Sequence, residues 1–433
     1  MCFFKKCLTR HVLIFQQSSD TGSMRKFIVL VILSATFCQT LYAETSRSLA
    51  DALTLTLLNN PELNSFSYEL RSSDAKTLQA SLRPNPVLDV EIENIGAQIF
   101  MQKTFLLSQM IELGGKRKAR LQFAQSERDR VALDYEVRKR QLFVDTTLLF
   151  IDVLINQQKI AFLEENLKVL SEFYSIVENR IKAGKASVVE ESNYTVLLTT
   201  AMIDLKNGQN ELRNSKNKLA AQWKETSNDS YVVEGNLERI PVVVPLEDMG
   251  EFLQEHPQIV RSYFEDNLRA SRVAVEKSKA IPDANLRGGP RYLDEAQKWV
   301  WIVGLSIPIP ISDRNQGRIW ESYENWEKLE KEKEAIWTKL LFDLNTTYST
   351  IQTVFSEIVL LKNSVLPAAQ RAYEFSYKGY ELARYNYLEL IETERSFRTS
   401  RIRYLQALGE YHKALAILQG LTGSKAIISQ VCE

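Results

Sequence analysis

Two stretches of the chain carry apolar or small side chains at alternating steps of three and four residues, the spacing of a coiled-coil seam. The first seam comprises Leu163, Leu167, Leu170, Tyr174, Val177 and Ile181. The second comprises Tyr194, Leu198, Ala201, Leu205, Gly208, Leu212, Ser215 and Leu219. Gly184 lies between the two seams, so the pattern predicts an antiparallel helical hairpin.

Neither Gly nor Pro occurs in residues 117–183 or 318–366, which favours unusually long helices. A helix of about 66 residues would extend about 100 Å, several times the diameter of an ordinary domain. Shorter helices predicted at about 50–82 and 187–224 could lie end to end beside it. A soluble coiled-coil rod would show the same helices, so they do not identify the fold alone.

A different period marks the segments between the helices. Large apolar side chains occupy seven successive odd positions: Trp299, Trp301, Val303, Leu305, Ile307, Ile309 and Ile311. In the first half of the chain, Leu88, Val90 and Ile92 alternate with acidic residues. This period of two predicts strands with one apolar face, and the tryptophans are typical of the aromatic girdle of a membrane barrel. We therefore expect Trp299, Trp301, Val303, Leu305 and Ile307 to face lipid; the edge of a soluble sandwich is the alternative.

The predicted strands span about 86–95, 102–113, 283–292 and 298–311. Four strands cannot close a barrel, and an open strand edge cannot sit in lipid. Several copies must therefore combine, and three copies would supply twelve strands around a real lumen. We expect a homotrimer that contacts membrane lipid.

The chain shows an internal tandem repeat. Pro61 and Pro86 are 25 residues apart, and so are Pro257 and Pro282, which lie 196 residues further along the chain. Glu190 corresponds to Glu389 at an offset of 199 residues. We predict a first repeat at 46–240 and a second at 241–425, each with a helix, two strands, a long helix and a return helix. Residues 426–433 form a tail.

The N-terminus predicts export from the cytoplasm. A basic start at Met24, an apolar stretch and Ala43 before Glu44 describe a signal peptide over 24–43, preceded by an upstream extension, 1–23. The full chain has 54 basic and 54 acidic residues, and removal of 1–43 leaves it mildly acidic, which argues against nucleic acid as a partner. Cys432 would be the sole remaining cysteine, so no internal disulfide is expected. No apolar run long enough for a transmembrane helix follows the leader.

Enzymatic chemistry has few candidates in this sequence. The chain has three histidines and no HExxH, CxxC or phosphate-binding glycine loop. We expect structural roles for His256 and His412, and the methionines of the mature chain are scattered. We therefore predict no catalytic residues, no cofactor and no metal site.

Several motifs together resemble the TolC-type outer-membrane efflux family over residues 46–425. They are Arg83-Pro84-Asn85-Pro86, Ser108 to Arg117, Leu305 to Pro310 and Arg314-Asn315-Gln316-Gly317. The last three of these stretches are similar to the heavy-metal branch, for cobalt–zinc–cadmium or copper–silver, that works with resistance–nodulation–division (RND) pumps. The resemblance implies a mainly α trimer, with a long α-helical barrel continuous with a 12-stranded transmembrane β-barrel, four strands per chain. It also implies a periplasmic adaptor, or membrane-fusion protein, and an inner-membrane RND pump.

The resemblance also implies a periplasmic gate. In the family a tyrosine and two acidic residues narrow the periplasmic entrance, and Tyr380, Glu389 and Glu392 fall on those positions. The family member compared has an arginine where this chain has Tyr385, with Arg384 beside it. Glu190 is the equivalent of Glu389 in the first repeat. An ordinary solvated helix face is the alternative for these residues.

The patterns and the resemblance together predict a passive export duct that contacts outer-membrane lipid in a Gram-negative cell and has a periplasmic helical extension. The alternative is a periplasmic coiled-coil adaptor or structural protein without a membrane barrel. The sequence does not name the transported species, because selection can take place at the pump.

Overall fold

The computed structural model describes residues 45–96, 101–184, 187–225, 231–382, 384–423 and 427–428. The predicted extension 1–23, the signal peptide 24–43 and nearly all of the tail 426–433 lie outside these residues.

The described chain is mostly helical, with one larger sheet and two short strand pairs. The first half contains β1 (Thr45–Arg47), α1 (Leu49–Asn59), α2 (Pro61–Ser81), β2 (Val87–Glu93), β3 (Gln102–Ile111), α3 (Lys116–Lys182), α4 (Val188–Ala221) and β4 (Tyr231–Val233). The second half contains β5 (Val242–Val243), α5 (Leu246–Met249), a 3₁₀ turn (Glu251–Glu255), α6 (Pro257–Lys279), β6 (Ala284–Leu293), β7 (Lys298–Ser306), α7 (Gln316–Leu360), a π-helical turn (Leu361–Val365), α8 (Leu366–Glu381), α9 (Tyr387–Thr422) and β8 (Ile427–Ile428). Strand β1 pairs with β4 in parallel, and β5 pairs with β8 antiparallel.

The first helical segment is two helices, not the single helix predicted at about 50–82. The Asn60 side chain accepts hydrogen bonds from the backbone N–H groups of Glu62, at 2.9 Å, and Leu63, at 3.2 Å. Asn60 therefore caps α2, and Pro61 occupies its first position, where a missing N–H costs nothing.

Helix α3 is 67 residues long and packs against α2, α4, α6 and α9. The main hydrophobic core surrounds its middle, where Phe150, Val153 and Leu154 meet apolar residues of α7 and α9 such as Leu344 and Leu408. These helices approach closely. A Cβ atom added to Gly409 of α9 would lie 2.0 Å from Ile155 Cδ1, so this position has no room for a larger residue.

The second long helical segment is interrupted. Between α7 and α8, the backbone N–H of Leu366 donates to the carbonyl of Leu361, five residues back. Pro367 follows directly and has no N–H to continue the ordinary helical ladder. The absence of Gly and Pro from 318–366 predicted the long helix but not this local change.

The four longer strands form one antiparallel sheet in the order β2-β3-β6-β7, so the two halves of the chain meet between β3 and β6. Strand β7 ends at Ser306, and its predicted extension to residue 311 is wrong. Pro308 and Pro310 lack the N–H groups that a strand ladder needs. In the described part of the chain, none of the helices is both long enough and apolar enough to span a bilayer.

Candidate functional site: an open sheet and a helical tip

One face of the sheet is largely apolar across all four strands, with Lys103 and Gln109 as polar residues on it. The register pairs Leu88 with Leu107, Val90 with Phe105, Gly288 with Val303, Leu286 with Leu305 and Tyr292 with Trp299. Because directly paired residues share a face, these side chains form a continuous surface. The predicted lipid-facing residues Trp299, Trp301, Val303 and Leu305 all lie on it, and Ile307 follows just beyond β7.

This apolar face is open to the surroundings of the single chain. Trp301 is 79% exposed and Val303 80% exposed. Trp299 gathers aromatic neighbours, with ring centroids 5.1 Å from Tyr292 and 6.3 Å from Phe105. A contiguous exposed apolar patch of this kind needs lipid or another protein to cover it.

The opposite face of the sheet carries most of its charged residues, although Val87, Leu106, Val300 and Ile302 also lie on it. It carries Asp89, Glu91, Glu93, Thr104, Ser108, Arg287, Arg291 and Lys298. Arg291 Nε donates to Thr104 Oγ1 at 2.9 Å, and Ser108 Oγ donates to Asp89 Oδ2 at 3.3 Å. A sheet that is apolar on one side and charged on the other suits a boundary between lipid and water.

Both outer edges of the sheet are unpaired among the described residues, because β2 and β7 each have one neighbouring strand. Their free N–H and C=O groups cannot be left in hydrocarbon. The sheet is therefore incomplete as a membrane structure until further strands join it.

The motif that ends at Arg117 holds the sheet onto the helices. Lys116 Nζ lies 2.6 Å from Asp283 Oδ1, and the same oxygen accepts the backbone N–H of Leu113 at 3.0 Å. A Cβ atom on Gly114 would lie 2.8 Å from Ile281 Cβ, so this turn packs tightly on the end of α6. Sequence reasoning did not single out Asp283, since its partners come from the other half of the chain.

The helical tip at the other end of the molecule is held by an aromatic cluster. This tip cluster consists of Phe173, Tyr194, Tyr373, Tyr377, Tyr380 and Tyr387. Phe173 is its centre, with ring centroids 4.7 Å from Tyr377 and 5.3 Å from Tyr380. The cluster joins the α3–α4 hairpin to the α8–α9 hairpin.

Tyr380 is the predicted gate residue that lies inside this cluster, only 1% exposed. Its hydroxyl donates to Glu190 Oε2 at 3.1 Å. Arg180 Nη1 donates to the Tyr380 carbonyl at 2.5 Å, and the Arg180 guanidinium lies 4.2 Å from the centre of the Tyr380 ring. Burial, reinforced by the bond to Glu190, raises the pKa of Tyr380 to about 12, so it stays a donor at neutral pH. Sequence reasoning missed Arg180.

The other predicted gate residues lie apart from Tyr380. Glu389 closes a capping box at the start of α9: its backbone N–H donates to Asn386 Oδ1 at 2.9 Å, and its carboxylate accepts from the Asn386 N–H at 3.3 Å. Glu392 is exposed one turn later, and Arg384 is exposed in the turn before α9. The structure thus joins Tyr380 to Glu190, and it leaves Glu389, Glu392 and Arg384 on the outer surface of the single chain.

The histidines of the described chain have local structural partners. His256 Nδ1 accepts the backbone N–H of Gln258 at 3.2 Å and caps α6. Burial, with Arg140 nearby, lowers the pKa of His256 to about 4. His412 Nε2 lies 2.8 Å from the Leu237 carbonyl. Among the residues that the structure describes, no three His, Cys, Asp or Glu side chains are grouped so as to hold a metal ion.

Comparison with known proteins identifies the family of this chain. Residues 52–223 and 249–424 match the family model described as outer membrane efflux protein. The chain belongs to the outer membrane efflux protein family. It is accordingly a channel component for efflux in the outer membrane, with a periplasmic helical extension, and it is not an enzyme. The alternative interpretation, a periplasmic adaptor or structural rod, does not describe a member of this family.

Two relatives of this efflux protein have known roles in metal resistance. It is 28% identical over 376 residues to the cobalt-zinc-cadmium resistance protein CzcC of Cupriavidus metallidurans, covering 87% of this chain and 90% of that one. It is 25% identical over 270 residues to the nickel-cobalt-cadmium resistance protein NccC of Alcaligenes xylosoxydans xylosoxydans, covering 60% of each chain.

Solved structures share the fold of this efflux protein. A structure of CusC superposes with a TM-score of 0.73 at 15% identity, covering 87% of this chain and 92% of that one. The outer membrane protein VceC of Vibrio cholerae superposes with a TM-score of 0.71 at 14% identity, covering 87% and 96%. The fold is therefore TolC-like, as the sequence predicted.

Proposed function

We propose that three copies of this chain close their sheets into one 12-stranded transmembrane barrel, continuous with an α-helical barrel in the periplasm. The observation that carries this proposal is the four-stranded sheet with two free edges and one continuous apolar face. Closure by identical copies would pair every edge strand and turn the charged face toward a water-filled lumen.

The duct would work as the outer part of a tripartite pump. An inner-membrane RND pump would supply the energy, and a periplasmic adaptor would join the pump to the helical end of the duct. The α3 helix, 67 residues long, is about 100 Å in length and could span much of the periplasm. This arrangement needs no catalytic site, cofactor or resident metal in the chain itself.

Heavy-metal cations are the proposed cargo. The support is the relation to the cobalt-zinc-cadmium resistance protein CzcC over nearly the whole of both chains. Cations would pass without being held, and selection would take place at the pump.

The helical tip is the proposed gate. Tyr380 and Glu190 would hold the two hairpins of one chain together, while Glu389 and Glu392 of three copies would ring the entrance with carboxylates. Arg384, exposed beside them, is the proposed basic partner across the interface. Six carboxylates around a constriction would attract cations and repel anions.

The experiment that tests this function is a chromosomal deletion of the gene, complemented by the wild-type chain or by the Leu305→Arg variant. We expect the deletion to lower the tolerated concentrations of cobalt, zinc or cadmium several-fold, wild type to restore them, and Leu305→Arg to fail. Unchanged metal tolerance together with new sensitivity to organic toxicants would contradict the metal cargo and leave the duct standing. Unchanged tolerance to both classes would contradict the duct.

A further inference from the structure

The residues of β7 restrict how its free edge can pair with a strand of a neighbouring copy. This inference rests on the proposed trimer, in which β7 of one copy pairs antiparallel with β2 of the next. All odd-numbered residues of β7 are large and apolar, and on β2 the even-numbered residues are apolar whereas Asp89, Glu91 and Glu93 lie on the other face. A slip of one residue would turn apolar side chains into the lumen, so acceptable registers differ by steps of two residues.

The known tilt of strands in membrane barrels reduces the number of possible registers. The register shift is the number of residues gained along β2 when directly paired residues are followed across the four strands of one copy to β2 of the next. Threefold symmetry requires this shift to be the same in every copy. With about 3.3 Å per residue and about 4.8 Å between strands, a shift of four residues gives a tilt of about 35°, and a shift of six gives about 46°. A shift of two gives only about 19°, whereas barrels of this class tilt by about 35–45°.

Strand overlap favours the shift of four. With the partner's β2 displaced toward the Ser306 end of β7, a shift of four brings residues 302–306 opposite residues 93–89, within both strands. A shift of six leaves only residues 304–306 opposite 93–91, and a shift of four in the reverse direction leaves only 298–300 opposite 89–87. Longer pairing satisfies more of the edge N–H and C=O groups.

Arg287 supplies an independent observation. It lies on the polar face of β6, directly opposite Gly304 of β7. A Cβ atom on Gly304 would lie 2.9 Å from Arg287 Nε and 3.2 Å from its Cγ, so the arginine side chain runs across β7 toward the free edge. Arg287 has no hydrogen-bond or ion-pair partner among the described residues.

The register with a shift of four brings a carboxylate to this arginine. It places Gly304 opposite Glu91 of the neighbouring copy, and Glu91 likewise has no partner within the described part of its own chain. The reverse shift would instead bring Arg83 opposite Gly304, which sets two like charges together. We propose that the subunit interface of the barrel is a β7–β2 seam in this register, closed on the lumen side by an ion pair between Arg287 of one copy and Glu91 of the next.

The same register also predicts which residues of β7 and β2 lie opposite each other on the lipid-facing side. In this register Val303 lies directly opposite Ile92 of the neighbouring copy, and Leu305 lies opposite Val90. Directly opposed residues on antiparallel strands have Cβ atoms about 4.5–5.5 Å apart, close enough for crosslinking of engineered cysteines.

Cysteine crosslinking tests the register directly. In a Cys432→Ser background, Val303→Cys is combined with Ile92→Cys, Val90→Cys or Leu88→Cys, and membranes are treated with an oxidant or a short bismaleimide. We expect the Ile92 combination to give at least fivefold more interchain dimer and trimer than the other two. A dominant Val90 or Leu88 product in a protein of trimeric native mass would overturn the register and leave the proposed duct intact. No interchain product from any pair, with a monomeric native mass, would contradict the proposed function itself.

Charge reversal tests the ion pair. We expect Glu91→Arg and Arg287→Glu each to lower the temperature at which the detergent-extracted trimer dissociates, and the double variant to recover at least half of the loss. Glu93→Arg combined with Arg287→Glu is the matched control and should not recover. Equal recovery by the control would favour the shift of six, and additive losses in the Glu91 double variant would overturn the pair.

Discussion

The hydroxyl of Tyr380 donates to Glu190 at 3.1 Å, although the two residues are 190 positions apart in the chain. This bond links the second hairpin to the first at the helical tip. A hydrogen bond to a charged group contributes about 1.5–3 kcal/mol when buried, and Glu190 is only half-buried, so we assign about 1 kcal/mol.

Removal of this bond should loosen the tip. We expect Tyr380→Phe and Glu190→Ala each to raise the open fraction of single channels in planar bilayers by about fivefold, equivalent to about 1 kcal/mol. The double variant should match the single variants rather than multiply them, because both remove the same bond. Independent, multiplying effects would show that the contact does not hold the tip.

The carboxylates at the tip should govern its ion preference. We expect the double change Glu389→Gln and Glu392→Gln to raise conductance and to weaken both cation selectivity and block by divalent cations. Glutamine keeps the capping box with Asn386, so helix α9 should be preserved. A single exposed ion pair is worth about 0–1 kcal/mol, so each single change should have a small effect.

Glu190→Gln is the comparison for the double variant. Its effect should be smaller, because the amide oxygen still accepts the Tyr380 hydroxyl. If the Glu389 and Glu392 double variant shows the conductance and ion block of wild type, the two residues form an ordinary solvated helix face.

The apolar face of the sheet should tolerate no charge. Val303→Arg and Leu305→Arg should reduce the assembled trimer in the outer membrane, since arginine on the lipid side costs about 2–4 kcal/mol near the midplane. Ser306→Arg, on the polar face, should be much milder. Quantitative blotting of unheated membrane samples measures the trimer, and equal losses in all three variants would contradict the assignment of faces.

His256 should make stability depend on pH. Its pKa in the folded chain is about 4, against 6.5 for an unperturbed histidine, because burial disfavours the charged ring. The unfolded chain therefore binds the additional proton, so this contribution to stability is complete above pH 6.5 and is lost as the pH falls toward 4. The loss is at most about 3 kcal/mol.

The chain supplies the matched control for this effect. Asn60 caps α2 before Pro61 just as His256 caps α6 before Pro257, and asparagine does not titrate. His256→Asn should keep the cap and flatten the melting temperature between pH 6.5 and pH 4. An unchanged pH profile in this variant would assign the dependence to other groups.

Local patterns predicted most of the fold, because period and turn chemistry act over a few residues. The alternation from Trp299 to Leu305 predicted β7 and its exposed face, and Gly184 marked the turn of the first hairpin. The errors also have local causes. Apolar alternation continues to Ile311, but Pro308 and Pro310 end the ladder, and Asn60 with Pro61 divides the first helix.

The contacts at the helical tip were harder to predict from the sequence. Tyr380 and Glu190 were each identified, but their bond depends on how α8 packs on α3 and α4, which no short pattern encodes. Arg180 contacts the carbonyl and the ring of Tyr380 from 200 residues away. The pairing of Lys116 with Asp283 at the sheet junction was hidden for the same reason.

Native mass measurement tests the central claim most directly. The protein would be extracted in mild detergent from separated outer membranes, and its N-terminus sequenced in the same preparation. We predict a species of three mature chains, each beginning near Glu44, because four strands with two free edges need two further copies to close. A monomer recovered from the soluble periplasmic fraction would contradict the account.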